Sequence, residues 1–263
     1  ARWEGAWPRM PTESIKSMAE RLKCTYIKNS IDPFLEEAAA EGWGTAEALS
    51  ELLARECETR RLNGIRRRMQ RAHFPYQMRF ELFADAHLSP EVRREVRVLE
   101  TMAFLEDGSN VVLVGNPGVG KTALSVAMGT KACETERTVA FINVPNLVIE
   151  MKEAMSLNQL TAYKKGFERF DLVILDDLGY CSFNRECGEV LFNLLSSRNG
   201  KGSTVITTNL MFDRWNEVFD DPVLTGAIVD RIAHKAHVVD MTGESYRVIE
   251  TKEWIEKTNR MMS

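Results

Sequence analysis

Hydrophobic and polar positions divide the chain into two parts of different texture. From residue 11 to about residue 83 the sequence is polar, rich in helix formers and nearly free of β-branched runs. Within it, Leu49, Leu52 and Leu53 follow helical spacing after Thr45, which is a suitable N-cap residue. This pattern predicts a small module of amphipathic helices.

From residue 110 onward, short β-rich apolar runs alternate with helical segments. The runs NVVLVG, TVAFINV, DLVILDD, STVITTN and HVVDM are predicted strands, and TALSVAMGTKACE, LVIEMKEAM, CGEVLFNLLSSR and DPVLTGAIVDRIAHKA are predicted helices. Such alternation is typical of a parallel sheet covered by helices on both faces. We therefore predict an α/β fold, in which residues 1–83 form a helical N-terminal domain with a connector and residues 84–263 form the α/β domain.

A phosphate-binding loop follows the first predicted strand. The stretch GNPGVGKT matches G-x-x-x-x-G-K-[ST] between a strand and a helix. Backbone N–H groups of such a loop face phosphate oxygens, the lysine adds a cation, and the hydroxyl can bind Mg²⁺. The predicted nucleotide-binding residues are Gly115, Asn116, Pro117, Gly118, Val119, Gly120, Lys121, Thr122 and Ala123.

Two adjacent acids end the predicted strand in LVILDDLGY. Ligands of open α/β sheets bind outside the carboxyl ends of the strands, so these acids should lie beside the phosphate loop. We assign Asp176 to Mg²⁺, together with Thr122, and Asp177 to the attacking water, which it would orient or deprotonate. The alternative is that both acids only cap the next turn.

Two further residues are candidates for contact with the phosphates. Asn209 follows a strand that ends in Thr207 and Thr208, and we prefer it as the group that contacts the γ-phosphate or the water; a turn-forming asparagine is the alternative. Arg231 lies between apolar positions of a predicted helix. It would either pair internally with an acid such as Asp230 or act as an arginine finger toward a neighbouring subunit.

Composition and charge narrow the class of protein only slightly. The chain has 44% hydrophobic and 27% charged residues and a net charge of -4, as expected of a folded domain. We find no apolar run of membrane-spanning length and no secretory pattern, so we expect a cytoplasmic protein that does not contact membranes. Five scattered cysteines favour reduced thiols. The arginine-rich stretch RRLNGIRRRMQR is either a phosphate-binding surface or a solvated helix face.

Together these motifs resemble the IstB-like ATPases, helper proteins of insertion-sequence transposition that are related to the DnaC helicase loaders in the AAA+ superfamily. The resemblance rests on GNPGVGKT, VILDDLGY, STVITTNL, FDRWNEVF and IVDRIAHKAHVVDMTGESYR and covers roughly residues 50 to 250. It implies an AAA+ P-loop domain without a large C-terminal lid, preceded by a small helical domain. It also implies ATP, Mg²⁺, self-assembly into a ring or spiral, duplex DNA and a transposase as partners.

The resemblance also assigns roles by position. Asn209 corresponds to the phosphate sensor, Arg231 to the arginine finger, and Arg247 to a further phosphate or intersubunit contact. We therefore expect a slow ATPase, completed at subunit interfaces, that assembles on duplex DNA and assists a transposase. A helicase loader and a nucleotide-dependent switch with negligible hydrolysis are the alternatives. The candidate DNA contacts are Lys164, Lys165, Arg66, Arg67 and Arg68.

Overall fold

The computed structural model of the chain describes residues 12–243, 245–248, 251, 252, 254, 255 and 258. Contacts between residues divide the chain into two compact units, Ala1–Arg67 and Arg68–Ser263. The connector up to residue 83, grouped above with the N-terminal helices, falls within the second unit by this division. No helix in the described part of the chain is long and apolar enough to cross a membrane.

The first unit is helical, as its sequence pattern predicts. Ile31, Phe34 and Ala38 of its second helix are buried, and Trp43 and Leu52 pack against them. The rings of Phe34 and Trp43 lie 5.9 Å apart, so one small apolar cluster holds these helices together. The helices are α1 (Thr12–Arg21), α2 (Thr25–Ala40) and α3 (Thr45–Ala72), the last of which ends beyond the boundary between the units.

The second unit contains a five-stranded sheet of order β2-β3-β4-β1-β5, in which every pair of neighbouring strands is parallel. The predicted α/β fold with a parallel sheet is therefore confirmed. The strands are β1 (Asn110–Val114), β2 (Val139–Asn143), β3 (Leu172–Leu178), β4 (Ser203–Thr208) and β5 (Ala236–Asp240).

Helices cover both faces of this sheet because side chains alternate along its strands. In β1, Val111 and Leu113 belong to one core with Leu124 of the following helix, whereas Val112 and Val114 belong to the other core. The helices are α4 (Pro90–Glu100), α5 (Ala103–Asp107), α6 (Lys121–Glu134), α7 (Val144–Ser156), α8 (Leu160–Phe167), α9 (Arg185–Arg198) and α10 (Pro222–Ala233), with short 3-10 helices at Phe80–Leu82 and Phe212–Glu217.

Candidate nucleotide-binding site

The phosphate loop connects the carboxyl end of β1 to the N-terminus of α6. Gly118 and Gly120 have φ angles of 85° and 96°, in the left-handed region that favours glycine. The side chain of Lys121 lies inside the curl of the loop, where its Nζ donates to the carbonyl oxygens of Gly115 at 2.7 Å and Asn116 at 2.9 Å. The loop therefore surrounds the ammonium group with its own backbone.

The environment of Lys121 suits a bound polyanion. The residue is only 7% exposed, and this burial lowers the pKa of its ammonium group, an effect that the negative charges of Asp177 and Asp176 oppose. Backbone carbonyl oxygens satisfy its hydrogen bonds but carry no full charge. Phosphate oxygens would supply a full negative charge to the ammonium group, so the geometry fits a nucleoside triphosphate.

Asp176 lies at the carboxyl end of β3, directly beside the phosphate loop. Thr122 Oγ1 donates to Asp176 Oδ1 at 3.0 Å, and Thr207 Oγ1 donates to the same oxygen at 2.7 Å. Burial raises the pKa of the Asp176 carboxyl, and the hydrogen bond from Thr207 partly opposes that shift. A hydroxyl and a carboxylate in contact are oxygen ligands of the kind that Mg²⁺ prefers.

These two ligands would not bind Mg²⁺ alone. Within the described ranges, no group of three or more His, Cys, Asp or Glu side chains could hold a metal ion. Mg²⁺ usually keeps several waters and binds through one or two protein groups together with substrate phosphates. Thr122 and Asp176 therefore fit Mg²⁺ that arrives with a nucleotide.

Asp177 has a left-handed backbone, with a φ of 67°, which is uncommon for a residue other than glycine. The pairing of β3 with β4 shifts register between Leu175 and Leu178, so the two acids stand at a bulge. In a regular strand, adjacent side chains would point to opposite faces of the sheet. Here the N–H of Asp177 donates to Thr207 Oγ1 at 2.9 Å, which ties both acids to one hydroxyl.

Asn209 follows β4 and lies against the turn after β3. Its Oδ1 is buried and has no hydrogen-bond partner among the described residues. A Cβ atom at Gly179, whose φ is 119°, would lie 2.5 Å from that oxygen, so only glycine allows the close approach. The side chain of the predicted sensor is thus packed against this turn, with a buried amide oxygen that has no hydrogen-bond partner among the described residues.

Residues near the end of the described chain also contact the phosphate loop. The N–H of Tyr246 donates to the carbonyl of Gly118 at 2.9 Å, and the Tyr246 ring lies 5.3 Å from the ring of His87. His87 Nε2 lies 3.2 Å from the carbonyl oxygen of Val119. The charge of Arg247 contributes to the lowered pKa of Lys121, after burial, which is the larger cause. The sequence motifs assigned no role to His87 or Tyr246.

Arg231 lies at the amino ends of the strands, whereas the phosphate loop lies at their carboxyl ends. It lines a small cavity of about 10 Å³ with Asn110 and Thr204, which stand at the amino ends of β1 and β4. Its Nε is buried and has no hydrogen-bond partner within the described residues. The five residues of β1 separate it from the loop by roughly 16 Å. Arg231 is therefore not part of the site of its own chain.

The candidate DNA contacts fall in three places. Lys164 and Lys165 lie in the last turn of α8, a helix that the sequence pattern did not predict, and Lys165 is the more exposed of the two. Arg66 and Arg67 are exposed on α3 in the first unit. Arg68 belongs to the second unit, where its Nε donates to the carbonyl of Cys133 at 2.9 Å, so its guanidinium group is part of the packing of that unit.

The sheet order, the phosphate loop after β1 and the acids that end β3 define a P-loop NTPase of the AAA+ class. The sequence profile of the IstB-like ATP binding protein family matches residues 17–253, and the chain belongs to this family. The resemblance inferred from the motifs is therefore confirmed.

Two insertion-sequence proteins named for ATP binding illustrate the similarity. The chain is 34% identical to the IS21 protein of Pseudomonas aeruginosa over 239 residues, an alignment that covers 90% of each chain. It is 34% identical over 238 residues to the IS232 protein of Bacillus thuringiensis subsp. berliner, over 90% of this chain and 94% of that one. Among solved structures, the replication initiator DnaA bound to AMPPCP and single-stranded DNA matches with a TM-score of 0.56 at 16% identity, over 71% of this chain and 57% of that chain, a likeness in fold.

Proposed function

We propose that this chain is a Mg²⁺-dependent ATPase that assembles on duplex DNA and presents it to the transposase of an insertion sequence. The observation that carries the ATPase assignment is the arrangement around Thr207, whose hydroxyl joins the Asp176 carboxylate to the backbone of Asp177. A buried lysine and a threonine of the phosphate loop stand beside these acids. The membership in a family of ATP-binding proteins supports ATP as the nucleotide.

In the proposed reaction, Lys121 would exchange the loop carbonyls for phosphate oxygens, and Thr122 and Asp176 would hold Mg²⁺. The ion supplies neutralisation of charge on the phosphates. Asp177 would orient the attacking water or accept its proton, and the side-chain amide of Asn209 would contact the γ-phosphate or the same water. The bulge near the end of β3 sets the backbone of Asp177, and Gly179 allows Asn209 to lie against the turn after β3.

The position of Arg231 supports assembly as part of the mechanism. Arg231 lies at the amino ends of the strands, too far from its own phosphate loop to contact the nucleotide there, and a head-to-tail arrangement would bring it toward the loop of a neighbour. Such interfaces build rings or spirals, and ATP at each interface would favour the assembled state. Arg247 would contact phosphates from within the same chain or contact a neighbour.

Duplex DNA and a transposase are the proposed partners because the relatives are insertion-sequence proteins. Lys164 and Lys165 on α8, with Arg66 and Arg67 on α3, are the proposed phosphate contacts. Contacts of this kind read the backbone rather than base edges, so we expect weak sequence preference. The proposed compartment is the cytoplasm.

The test compares binding of duplex and single-stranded DNA of equal length by fluorescence anisotropy, with and without ATP. We expect ATP to strengthen duplex binding, and we expect Lys121→Ala to remove that effect because it lacks the ammonium group of the phosphate loop. A strong preference for single strands would contradict the transposition assignment and favour a helicase loader. Tight ATP-dependent duplex binding without measurable phosphate release would instead favour a switch with negligible hydrolysis.

A further inference from the structure

A groove of about 580 Å³ lies on the first, helical unit of the chain. Four of the residues that line it are basic, and one is acidic. The groove contains no aromatic side chain among its described lining residues, and Leu22 is its one large apolar residue. The lining residues are Leu22, Lys23, Thr25, Glu56, Arg60, Asn63, Arg66 and Arg67.

The acid of this groove is engaged by the backbone. Glu56 is only 5% exposed, and its carboxylate accepts hydrogen bonds from the N–H groups of Thr25 at 3.0 Å, Tyr26 at 2.8 Å and Ile27 at 3.2 Å. These N–H groups form the N-terminus of α2, where a negative charge is stabilised by the helix dipole. The nearest guanidinium nitrogen, from Arg60, lies 3.9 Å away. Glu56 therefore holds α2 and leaves most of the positive charge of the groove uncompensated.

Other arginines of α3 are neutralised by neighbouring acids. Arg55 pairs with Glu37 and Glu51, each at 2.7 Å. Arg61 pairs with Glu58 at 2.8 Å. These pairs give the helix a solvated face of balanced charge, which is the ordinary arrangement for a charged helix.

The basic residues of the groove differ from that pattern. Arg66 and Arg67 donate to the side-chain and backbone oxygens of Asn63, which are neutral acceptors. Neither they nor Lys23 form an ion pair with an acid that the structure describes. Lys23 stands in the tight turn between α1 and α2 with a φ of 57°, so the turn presents its side chain at the rim. Three cations without a described ion pair thus line one groove, although the net charge of the whole chain is negative.

We propose that this groove binds the phosphodiester backbone of duplex DNA, as a second contact surface on the helical unit; the inference rests on the proposed function. Uncompensated lysine and arginine side chains bind phosphates with release of counterions. The absence of aromatic residues among the lining residues argues against single strands, whose bases stack on aromatic rings. The polarity of the lining residues also argues against a protein partner, since the centres of protein interfaces are enriched in aromatic and apolar residues.

The experiment measures the affinity of the ATP-bound protein for two duplexes of unrelated sequence over a range of salt concentrations. The variants are Lys23→Ala, Arg67→Ala and the double variant Arg66→Ala/Arg67→Ala. Each lost cation should reduce the slope of log K against log salt by about 1, equally for both sequences. The double variant should therefore lose about 2. Arg61→Ala, on the same helix but paired with Glu58, is the matched control and should keep the parent slope.

The outcomes separate this inference from the proposed function. All groove residues that are changed are exposed, and nucleotide binding and circular dichroism of the variants should match those of the parent. If the parent binds duplex DNA with ATP and the variants keep its slope, the groove assignment is overturned, and Arg66 and Arg67 are no longer DNA contacts. The ATPase activity and the ATP-dependent binding of duplex DNA in the proposed function then stand. Unchanged slopes with lost transposase binding would also overturn it, in favour of a protein partner. If the parent does not bind duplex DNA, the DNA part of the proposed function falls and the groove assignment falls with it.

Discussion

At the scale of single residues, Thr207 explains how two adjacent acids take different positions. Its hydroxyl oxygen accepts the N–H of Asp177, so its proton is directed to Asp176 Oδ1. The sequence predicts the acids and the polar end of β4, because their residue types and spacing are local features. It does not predict the bulge or Thr207 as the link, because these depend on the register between two strands that are distant in sequence.

Thr207→Val should lower the rate of ATP hydrolysis by about tenfold or more, the usual effect of removing a partner that orients a metal ligand. The variant keeps the shape of the side chain but loses both hydrogen bonds. The Mg²⁺ concentration needed for half-maximal activity should rise at the same time. Thr207→Ser keeps the hydroxyl and should restore both values. Parent-like kinetics and Mg²⁺ dependence in the valine variant would show that the hydroxyl has no positioning role.

Asp176 is expected to lower the stability of the nucleotide-free protein at neutral pH. Burial raises the pKa of its carboxyl in the folded state above the ordinary value of 3.8. The folded chain therefore binds this proton at higher pH than the unfolded chain does. The destabilising contribution is fully present above the raised pKa, and it is relieved as the pH falls from that value toward 3.8.

Asp176→Asn should remove this cost. We expect the free energy of unfolding at pH 7 to rise by about 1 kcal/mol, a size common for relief of strain at functional sites. The effect of Mg²⁺ on ATP binding should disappear in the same variant. Urea denaturation at pH 7 and pH 4.5, with nucleotide titrations, measures both effects. A less stable variant at pH 7 would contradict the assigned burial cost.

At the scale of elements, the end of α9 is fixed to the amino end of the sheet by Arg198. This side chain is 2% exposed and donates to the carbonyl oxygens of Phe167, Phe170 and Ser203. Burial lowers the pKa of its guanidinium group to about 10, so the group stays charged at neutral pH. In sequence it is only an arginine in the last turn of a helix, where a solvated position is common. Its carbonyl partners come from segments that the sequence does not bring together.

Arg198→Met should lower the free energy of unfolding by about 3 kcal/mol, because several buried carbonyl oxygens would lose a charged donor. Arg185→Ala removes an exposed arginine from the same helix and should change stability by less than about 0.5 kcal/mol. Chemical denaturation of both variants measures the difference. Equal stability of the two variants would refute the structural role of Arg198.

The sequence pattern predicted some of the helices and missed others, and α8 shows why. Longer segments such as α6 and α9 could be recognised from composition and pattern. The segment LTAYKKGF of α8 has only eight residues, and such short helices are marginal without tertiary packing. Phe167 belongs to the core and Tyr163 packs against it. Tertiary contacts therefore stabilise α8, and local sequence could not reveal them.

At the scale of the whole molecule, the parallel sheet separates the phosphate loop from Arg231, two groups whose relative positions the sequence pattern did not predict. Alternating strands and helices predicted a parallel sheet, but not the order of its strands, since local pattern carries no information on crossovers. In the observed sheet, the phosphate loop lies at the carboxyl ends of the strands and Arg231 lies at their amino ends. The structure describes no ion pair of Arg231 with an acid, and the finger toward a neighbouring subunit stays a proposal.

The central claim, that each active site is shared between two subunits, is tested most directly by mixing two variants. Asp177→Asn keeps Arg231 and the phosphate loop but lacks the carboxylate that acts on the water, and Arg231→Ala keeps that carboxylate but lacks the finger. Each variant alone should hydrolyse ATP at a small fraction of the parent rate. In an equal mixture on duplex DNA, random head-to-tail assembly makes about one quarter of the interfaces complete, so the rate should recover to about that fraction. Full activity of Arg231→Ala alone, or no recovery in the mixture, would contradict the claim.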